Sequence, residues 1–215
     1  MKKYIYLVVF MWFSSAQAGS YEDYFQAIKQ DDPQVVTSLL ARGFDPNALN
    51  PAGIHGLMLA MQEGSLKVAD VLTEWPKTQV EWRSPKDESP LMIAALKGHT
   101  DLARKLIARG ADVNKPGWAP LHYAATNGHL AMIELLLDQH AYIDAPSPNK
   151  STPLMMAALY GTPAAVKLLL DAGADATIRN ELGLTAIDFA NRAQRKDAAE
   201  LIAAAIRSKG PRGKW

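Results

Sequence analysis

Pro153-Leu154-Met155-Met156-Ala157-Ala158, in the C-terminal third of the chain, is written twice more upstream in closely similar form. The other copies are Pro120-Leu121-His122-Tyr123-Ala124-Ala125 and Pro90-Leu91-Met92-Ile93-Ala94-Ala95, and in all three a Gly falls eight residues after the Pro. The stretch therefore recurs with a period of about 32 residues, which is typical of stacked-repeat proteins. Self-similarity of this kind predicts a row of small repeats, none of which can bury its own apolar face alone.

Each copy is followed by a second apolar segment and a stop signal. After Ala158, for example, Val166, Leu169 and Leu170 recur at helical spacing and lead into Asp171-Ala172-Gly173-Ala174-Asp175. The i, i+3, i+4 spacing predicts a helix with one apolar face, and the Gly suits a left-handed C-cap. The Pro that opens each copy suits the first turn of a short helix. One repeat is therefore predicted to be a helix, a turn, a second helix and an extended polar loop.

Weaker copies extend the pattern to six repeats. Gly56 to Met61 lies one period before Pro90, and a degenerate copy from Asp23 to Ile28 lies one period earlier again. At the other end, Ala186 to Ala190 lies one period after Pro153 and lacks the Gly. Atypical terminal copies are what the capping repeats of a stack require.

This unit resembles the ankyrin repeat. The likeness is carried by Thr152-Pro153-Leu154, Ala157-Ala158, Gly161, Leu169-Leu170, Asp171 to Asp175, and the Gly-His turns Gly98-His99 and Gly128-His129. It covers roughly residues 21–206. The resemblance implies an all-α solenoid of about six helix–turn–helix units, with short β-hairpin fingers as loops and the first helices lining a concave face. It also implies protein binding rather than catalysis.

One finger departs from the pattern. Between Asn114 and Pro120 the loop is three residues shorter than between Asp144 and Pro153. We expect a notch in the line of fingers at Lys115–Ala119.

The N-terminus has the pattern of a secretory signal peptide. Lys2 and Lys3 precede a short apolar run from Tyr4 to Phe13, and Ala16-Gln17-Ala18 has the small-x-small form of a cleavage site. The alternative is an uncleaved membrane anchor, but the run is shorter than a typical span of about 20 residues. We therefore predict a signal peptide at residues 1–18.

Composition narrows the remaining choices. The 215 residues include 23 Lys+Arg, 22 Asp+Glu and no Cys, so charge gives no argument for nucleic acid or an anionic membrane. A Cys-free exported chain fits a bacterial periplasm better than a small secreted eukaryotic domain, which normally relies on disulfides. The predicted domains are a repeat domain at residues 19–206 and a basic flexible tail at 207–215.

The five histidines do not cluster as a metal site or a catalytic pair would. We expect structural roles for His99 and His129 in the Gly-His turns and for His122, each bonding the backbone between repeats. His140 replaces a cap Gly, and His55 lies in a finger with no role assigned.

Acidic residues recur once per repeat, at Asp45, Asp112 and Asp175, with Asp144 close by. A calcium loop would gather them together, so turn-stabilising bonds to the backbone explain them better. Nor does the sequence contain a phosphate loop, a nucleophile elbow or a zinc-protease motif. We predict no enzyme activity, no metal and no cofactor.

Aromatic and apolar residues in the fingers and before each Gly indicate where a partner would bind. Trp82 and Trp118 fall in fingers, and the two residues before each Gly face the groove in the ankyrin family. The predicted partner-binding residues are Trp82, Arg83, Leu96, Lys97, Trp118, Asn127, Leu159 and Tyr160. The alternative is that each Trp simply packs on its own hairpin.

These observations favour a monomeric, non-catalytic protein-binding module of the bacterial periplasm. An immunity protein that neutralises a toxin effector is one form of it. Alternatives are a periplasmic ankyrin protein that supports a catalase, and a secreted host-directed effector. We expect neither nucleic acid nor, after signal cleavage, membrane as a partner.

Overall fold

The computed structural model describes residues 19–208, and these form twelve helices. The helices are α1 (residues 19–29), α2 (Pro33–Ala41), α3 (Gly56–Glu63), α4 (Leu66–Glu74), α5 (Pro90–Lys97), α6 (Thr100–Ala108), α7 (Pro120–Asn127), α8 (Leu130–Asp138), α9 (Pro153–Leu159), α10 (Pro163–Asp171), α11 (Ala186–Arg192) and α12 (Lys196–Ser208). They pair in order as six helix–turn–helix repeats. The predicted all-α repeat fold is confirmed.

The first helices of the inner repeats are buried along most of their length. In α9 every residue from Pro153 to Ala158 is buried, and the Thr152 hydroxyl caps the helix by accepting from the Met155 N–H at 3.4 Å. Small alanines at the core of this helix let neighbouring first helices approach closely.

The second helix is amphipathic, as its spacing predicts. In α6, Leu102, Ala103 and Leu106 are buried while Arg104 faces solvent. Each second helix therefore has one side against the repeat stack and one side in water.

The chain divides into two compact units, Met1–Pro90 and Leu91–Trp215, called here the N-terminal and C-terminal units. In the N-terminal unit α2 and α3 both pack on α4. Its core contains Tyr24, which is fully buried and donates its hydroxyl to the Pro46 carbonyl at 3.0 Å.

In the C-terminal unit the helices stack in two layers. First helices α7, α9 and α11 pack in series, and second helices α6, α8, α10 and α12 do the same. Leu91, Leu106, Leu121, Met132 and Leu169 are fully buried within this unit.

The Gly that follows each copy has two different structural reasons. Gly128 ends α7 in the left-handed conformation at φ 68°, which favours Gly, and a Cβ there would also collide with Thr162 of the following repeat. Gly161 does not have positive φ, but a Cβ there would collide with the Ala125 carbonyl oxygen of the preceding repeat. Where Gly is missing, Asp31 and Gln194 take the left-handed conformation, at φ 52° and 57°.

Four fingers end in the same tight turn, whose first residue is Asn50, Ser84, Ser147 or Asn180. In each, its backbone N–H donates to the carbonyl four residues on, at 2.9 to 3.0 Å. The side-chain oxygen of that residue accepts a backbone N–H from within the turn. Among residues 19–208 the single regular β-bridge joins Leu49 to His55, so these fingers are short hairpin turns rather than long ribbons.

The predicted notch lies in a finger without this turn. Lys115 is buried and its ammonium donates to the Pro116 carbonyl at 3.0 Å. The next residue, Gly117, lies close to Pro148 in the following finger. The shortened loop therefore closes on itself instead of extending.

Two predicted segments fall on residues that the structure does not describe. They are the signal peptide at 1–18 and all of the predicted tail beyond Ser208, the last residue of α12. Between residues 19 and 208, no helix combines the length and apolarity needed to span a membrane.

Candidate functional site

The predicted binding residues fall in both units. Trp82 and Arg83 lie in the N-terminal unit, and the other six lie in the C-terminal unit. The two sets are therefore described separately.

In the N-terminal unit, Trp82 is half-buried and stacks on His55, with ring centroids 5.6 Å apart and planes at 18°. Arg83 forms an ion pair with the carboxylate of Glu81. Trp82 therefore packs on a histidine of the preceding finger rather than on its own hairpin.

His55 has a structural role that the sequence left open. It is fully buried before α3, where Nδ1 accepts from the Leu57 N–H at 3.3 Å and Nε2 donates to Asn47 Oδ1 at 3.0 Å. Burial lowers the pKa of His55 to about 4, against a smaller opposing effect of the Asp45 carboxylate. The neutral ring is therefore part of the folded structure.

Asn47 joins that ring to the next finger. Its carbonyl oxygen also accepts from the Gln79 N–H at 2.8 Å, and its amide donates to the Lys77 carbonyl at 2.9 Å. The spacing of Asn47 and Asn114 by two repeats was the sequence signal that could have revealed this link.

The C-terminal unit contains a matching Trp–His pair. Trp118 is half-buried and packs edge-to-face on His122, with centroids 5.3 Å apart. His122 is buried, its Nδ1 accepts from the Ala119 N–H at 3.1 Å, and its Nε2 donates to the Ser151 carbonyl at 3.0 Å. Burial lowers its pKa, and hydrogen bonds to the backbone partly oppose this. The predicted structural role of His122 between repeats is confirmed.

Beside Trp118 lies an open, mainly apolar pocket of about 230 Å³. Its lining comes from α5, the shortened finger, α7 and α9: Leu96, Trp118, His122, Tyr123, Thr126 and Met156. The structure thus brings together two of the predicted binding residues, Leu96 and Trp118.

Sequence reasoning missed Tyr123 and Met156. They occupy the variable positions of the repeated Pro-Leu-x-x-Ala-Ala stretch, which differ between copies. That variation was the available signal. Thr126 stands beside the predicted Asn127.

The remaining predicted residues lie near the ends of the first helices. Asn127 is exposed and its amide donates to the Leu96 carbonyl at 2.6 Å. Tyr160 is 62% exposed, and its N–H donates to the Met156 carbonyl at 2.9 Å, one helical turn from the pocket wall. Leu159 is half-buried and Lys97 is exposed.

Two further histidines have the predicted structural roles. The His129 ring bonds the Leu96 carbonyl at 3.0 Å, across neighbouring repeats. His140 takes the left-handed conformation at φ 63° in place of the cap Gly. At His99, burial and the charges of Lys97 and His129 lower the pKa.

The recurring aspartates stabilise turns, as predicted. Asp45, Asp112 and Asp175 each accept the backbone N–H two residues on, at 2.8 to 2.9 Å. Within residues 19–208 no group of three or more His, Asp or Glu side chains is placed to hold a metal ion.

Comparison with known proteins agrees with this architecture. A family model described as "Ankyrin repeats (3 copies)" matches residues 24–116, 57–147 and 121–209. A crystal structure of an ankyrin repeat domain from Acinetobacter baumannii AYE superposes with a TM-score of 0.74 at 24% identity. That match covers 85% of this chain and 96% of the other.

Curated relatives match over part of their length. Ankyrin repeat and SAM domain-containing protein 6 of Mus musculus is 35% identical over 119 residues, 53% of this chain and 13% of that protein. Transient receptor potential cation channel subfamily A member 1 of Homo sapiens is 29% identical over 159 residues, 69% of this chain and 14% of that protein. The chain thus spans only a small part of each relative. Ankyrin repeats are protein-interaction scaffolds and generally not enzymes, and this chain belongs to the ankyrin repeat family.

Proposed function

We propose that this chain is a non-catalytic protein of the bacterial periplasm that captures a protein partner on the face containing the Trp118 pocket. The observation that carries the proposal is an apolar pocket lined by Trp118, together with Tyr160, which is 62% exposed and follows the lining residue Met156 by one helical turn. Aromatic residues are typical of the few residues that dominate binding energy at protein interfaces.

The pocket favours binding over catalysis. A general base needs a ring nitrogen that can take up a proton, but both nitrogens of His122 are engaged with backbone groups. The imidazole is thus held as part of the pocket wall.

The proposed periplasmic location rests on the signal-peptide pattern of the sequence at residues 1–18. Within the periplasm, a protein that neutralises a toxin effector would need only a rigid binding surface of this kind. Support of a catalase, or release as a host-directed effector, would use the same surface. A toxin gene beside the coding gene would favour the first, and a catalase gene the second.

Affinity capture from the native envelope tests the proposal. We expect the tagged protein to fractionate with the periplasm and to retain a partner, and Trp118→Ala with Tyr160→Ala to reduce capture about tenfold. Tyr142→Ala is the matched control, because Tyr142 is 68% exposed but lies on a finger away from the pocket lining.

Thermal melting of each variant separates binding from folding. If the double variant captures as well as the unchanged protein, the binding surface lies elsewhere. Recovery of the protein in the cytoplasmic fraction would exclude the periplasmic location.

A further inference from the structure

We infer that the Trp118 pocket receives one large apolar side chain from an extended segment of the partner protein, while Asn127 Oδ1 accepts a main-chain N–H of that segment. This rests on the proposed function and specifies the chemistry of the partner. Four features of the pocket and its rim support it.

The size of the pocket fits a side chain better than a metabolite. Small-molecule sites commonly enclose about 300 to 1,000 Å³. The pocket, at about 230 Å³ and open to one side, is smaller. It has room for one bulky side chain while the main chain of the partner stays outside.

The lining of the pocket selects an apolar group. Leu96, Met156 and the Trp118 ring contribute apolar surface. Two of the polar groups in the wall are already engaged, because the Thr126 hydroxyl donates to the His122 carbonyl at 2.8 Å and the His122 ring bonds backbone groups through both nitrogens. A charged or amide side chain that entered would lose water without gaining a partner from these groups.

The wall is held in place before any partner arrives. Trp118 packs on His122, and the Leu96 carbonyl is held by both Asn127 and His129. Little side-chain freedom is therefore lost on binding, which favours affinity from a single inserted group.

Asn127 supplies a directed acceptor at the rim. Its amide nitrogen is committed to the Leu96 carbonyl at 2.6 Å, and the planar carboxamide then turns Oδ1 the other way. Asn127 is exposed, and among residues 19–208 the structure records no donor to Oδ1. An extended segment presents main-chain N–H groups beside its side chains, so one can reach this oxygen.

A library of linear peptides displayed on phage, selected against the protein purified from cells that express the full chain, tests this chemistry. We expect the selected peptides to share one Leu, Phe or Trp, whose replacement by Ala weakens binding about tenfold or more. Thr126→Met places a longer apolar side chain in the pocket and should weaken the same peptides about tenfold. Ala131→Met introduces the same side chain on the exposed side of α8 in that repeat and should leave binding unchanged.

A double-mutant cycle, which combines a change in the peptide with a change at Asn127, tests the hydrogen bond to Asn127 Oδ1. N-methylation of the peptide amide that meets Asn127 removes its donor and should weaken binding severalfold. In an Asn127→Ala background the same methylation should cost nothing further. Equal losses in both backgrounds would contradict the assigned bond.

Several results would overturn the inference. They are selected peptides that lack a common apolar residue, binding that Thr126→Met leaves intact, and a selection that yields no pocket-dependent peptide. Peptide binding that appears only after residues 209–215 are removed would identify the chain's own tail as the occupant. If native capture depends on Trp118 and Tyr160 but survives Thr126→Met, the proposed function stands and this inference fails.

Discussion

Trp118 lies edge-to-face on His122, with ring centroids 5.3 Å apart, while that imidazole donates to the Ser151 carbonyl of the following finger. Trp82 instead stacks face to face on His55 in the N-terminal unit, with ring planes at 18°. Trp82 and Trp118 thus each pack on a buried neutral histidine; His122 bonds the following finger directly, and His55 is joined to the next finger through Asn47. The proposed binding surface and the stability of the fold share Trp118 and His122.

Acid should weaken the fold through His55. Its pKa is about 4 in the folded chain and 6.5 in an ordinary peptide, so below pH 6.5 the unfolded chain binds a proton that the folded chain does not. The stabilisation is fully present above pH 6.5 and is lost as pH falls toward 4, by about 3 kcal/mol in total. His122 acts in the same direction.

Urea unfolding followed by circular dichroism at pH 7.5, 5.5 and 4.5 measures this loss. His55→Gln, which does not titrate, should show a shallower dependence on pH than the unchanged protein. Identical dependence in the two proteins would show that His55 is not the group responsible.

Asn114 should stabilise the loop that follows α8. Its amide donates to the His140 carbonyl at 2.8 Å and its carbonyl accepts from the Tyr142 N–H at 2.7 Å. Asn114→Ala removes both bonds and should cost about 1 to 2 kcal/mol of unfolding free energy. Asn114→Asp keeps the acceptor and should cost less, since Asp144 accepts from the Asp175 N–H in this way one repeat later.

Chemical denaturation of the two Asn114 variants provides the comparison. Asn191→Ala, at an exposed position on α11, serves as the control and should change stability little. A smaller loss of unfolding free energy for Asn114→Ala than for Asn114→Asp would contradict the assigned bonds.

Gly161→Ala should destabilise more than Gly110→Ala. A Cβ at Gly161 meets the Ala125 carbonyl oxygen and forces neighbouring first helices apart, at a cost on the order of 1 to 3 kcal/mol. At Gly110 the space is open, and only the left-handed backbone at φ 91° opposes Ala, at about 1 kcal/mol. Melting temperatures of the two variants, measured side by side, test this order. A lower melting temperature for Gly110→Ala than for Gly161→Ala would mean that the backbone conformation matters more than the close approach.

His140→Gly should stabilise the chain. His140 holds φ 63° at an exposed cap, a conformation that costs a residue with a Cβ but not Gly. The carbonyl that accepts from Asn114 belongs to the backbone and is kept. We expect a gain of up to about 1 kcal/mol in urea unfolding, and a loss would mean that the imidazole itself contributes.

The repeated Pro-Leu-x-x-Ala-Ala stretch predicted the helix pairs, their register and the structural roles of His122 and His129. Such features depend on apolar spacing and turn chemistry within one repeat, and both are local. The same locality explains why the shortened finger at Lys115–Ala119 could be located by counting residues alone.

Features that depend on contacts between neighbouring repeats could be seen only in the tertiary structure. Gly128 and Gly161 occupy the same sequence position and both leave no room for a Cβ beside a neighbouring repeat, yet only Gly128 also needs the left-handed backbone. Trp82 and His55 stack although they belong to different fingers, and the pocket collects side chains from three first helices and a finger. The sequence by itself thus determined the repeat and its period, while packing between repeats decided which side chains are buried as supports and which, like Tyr160, are left exposed.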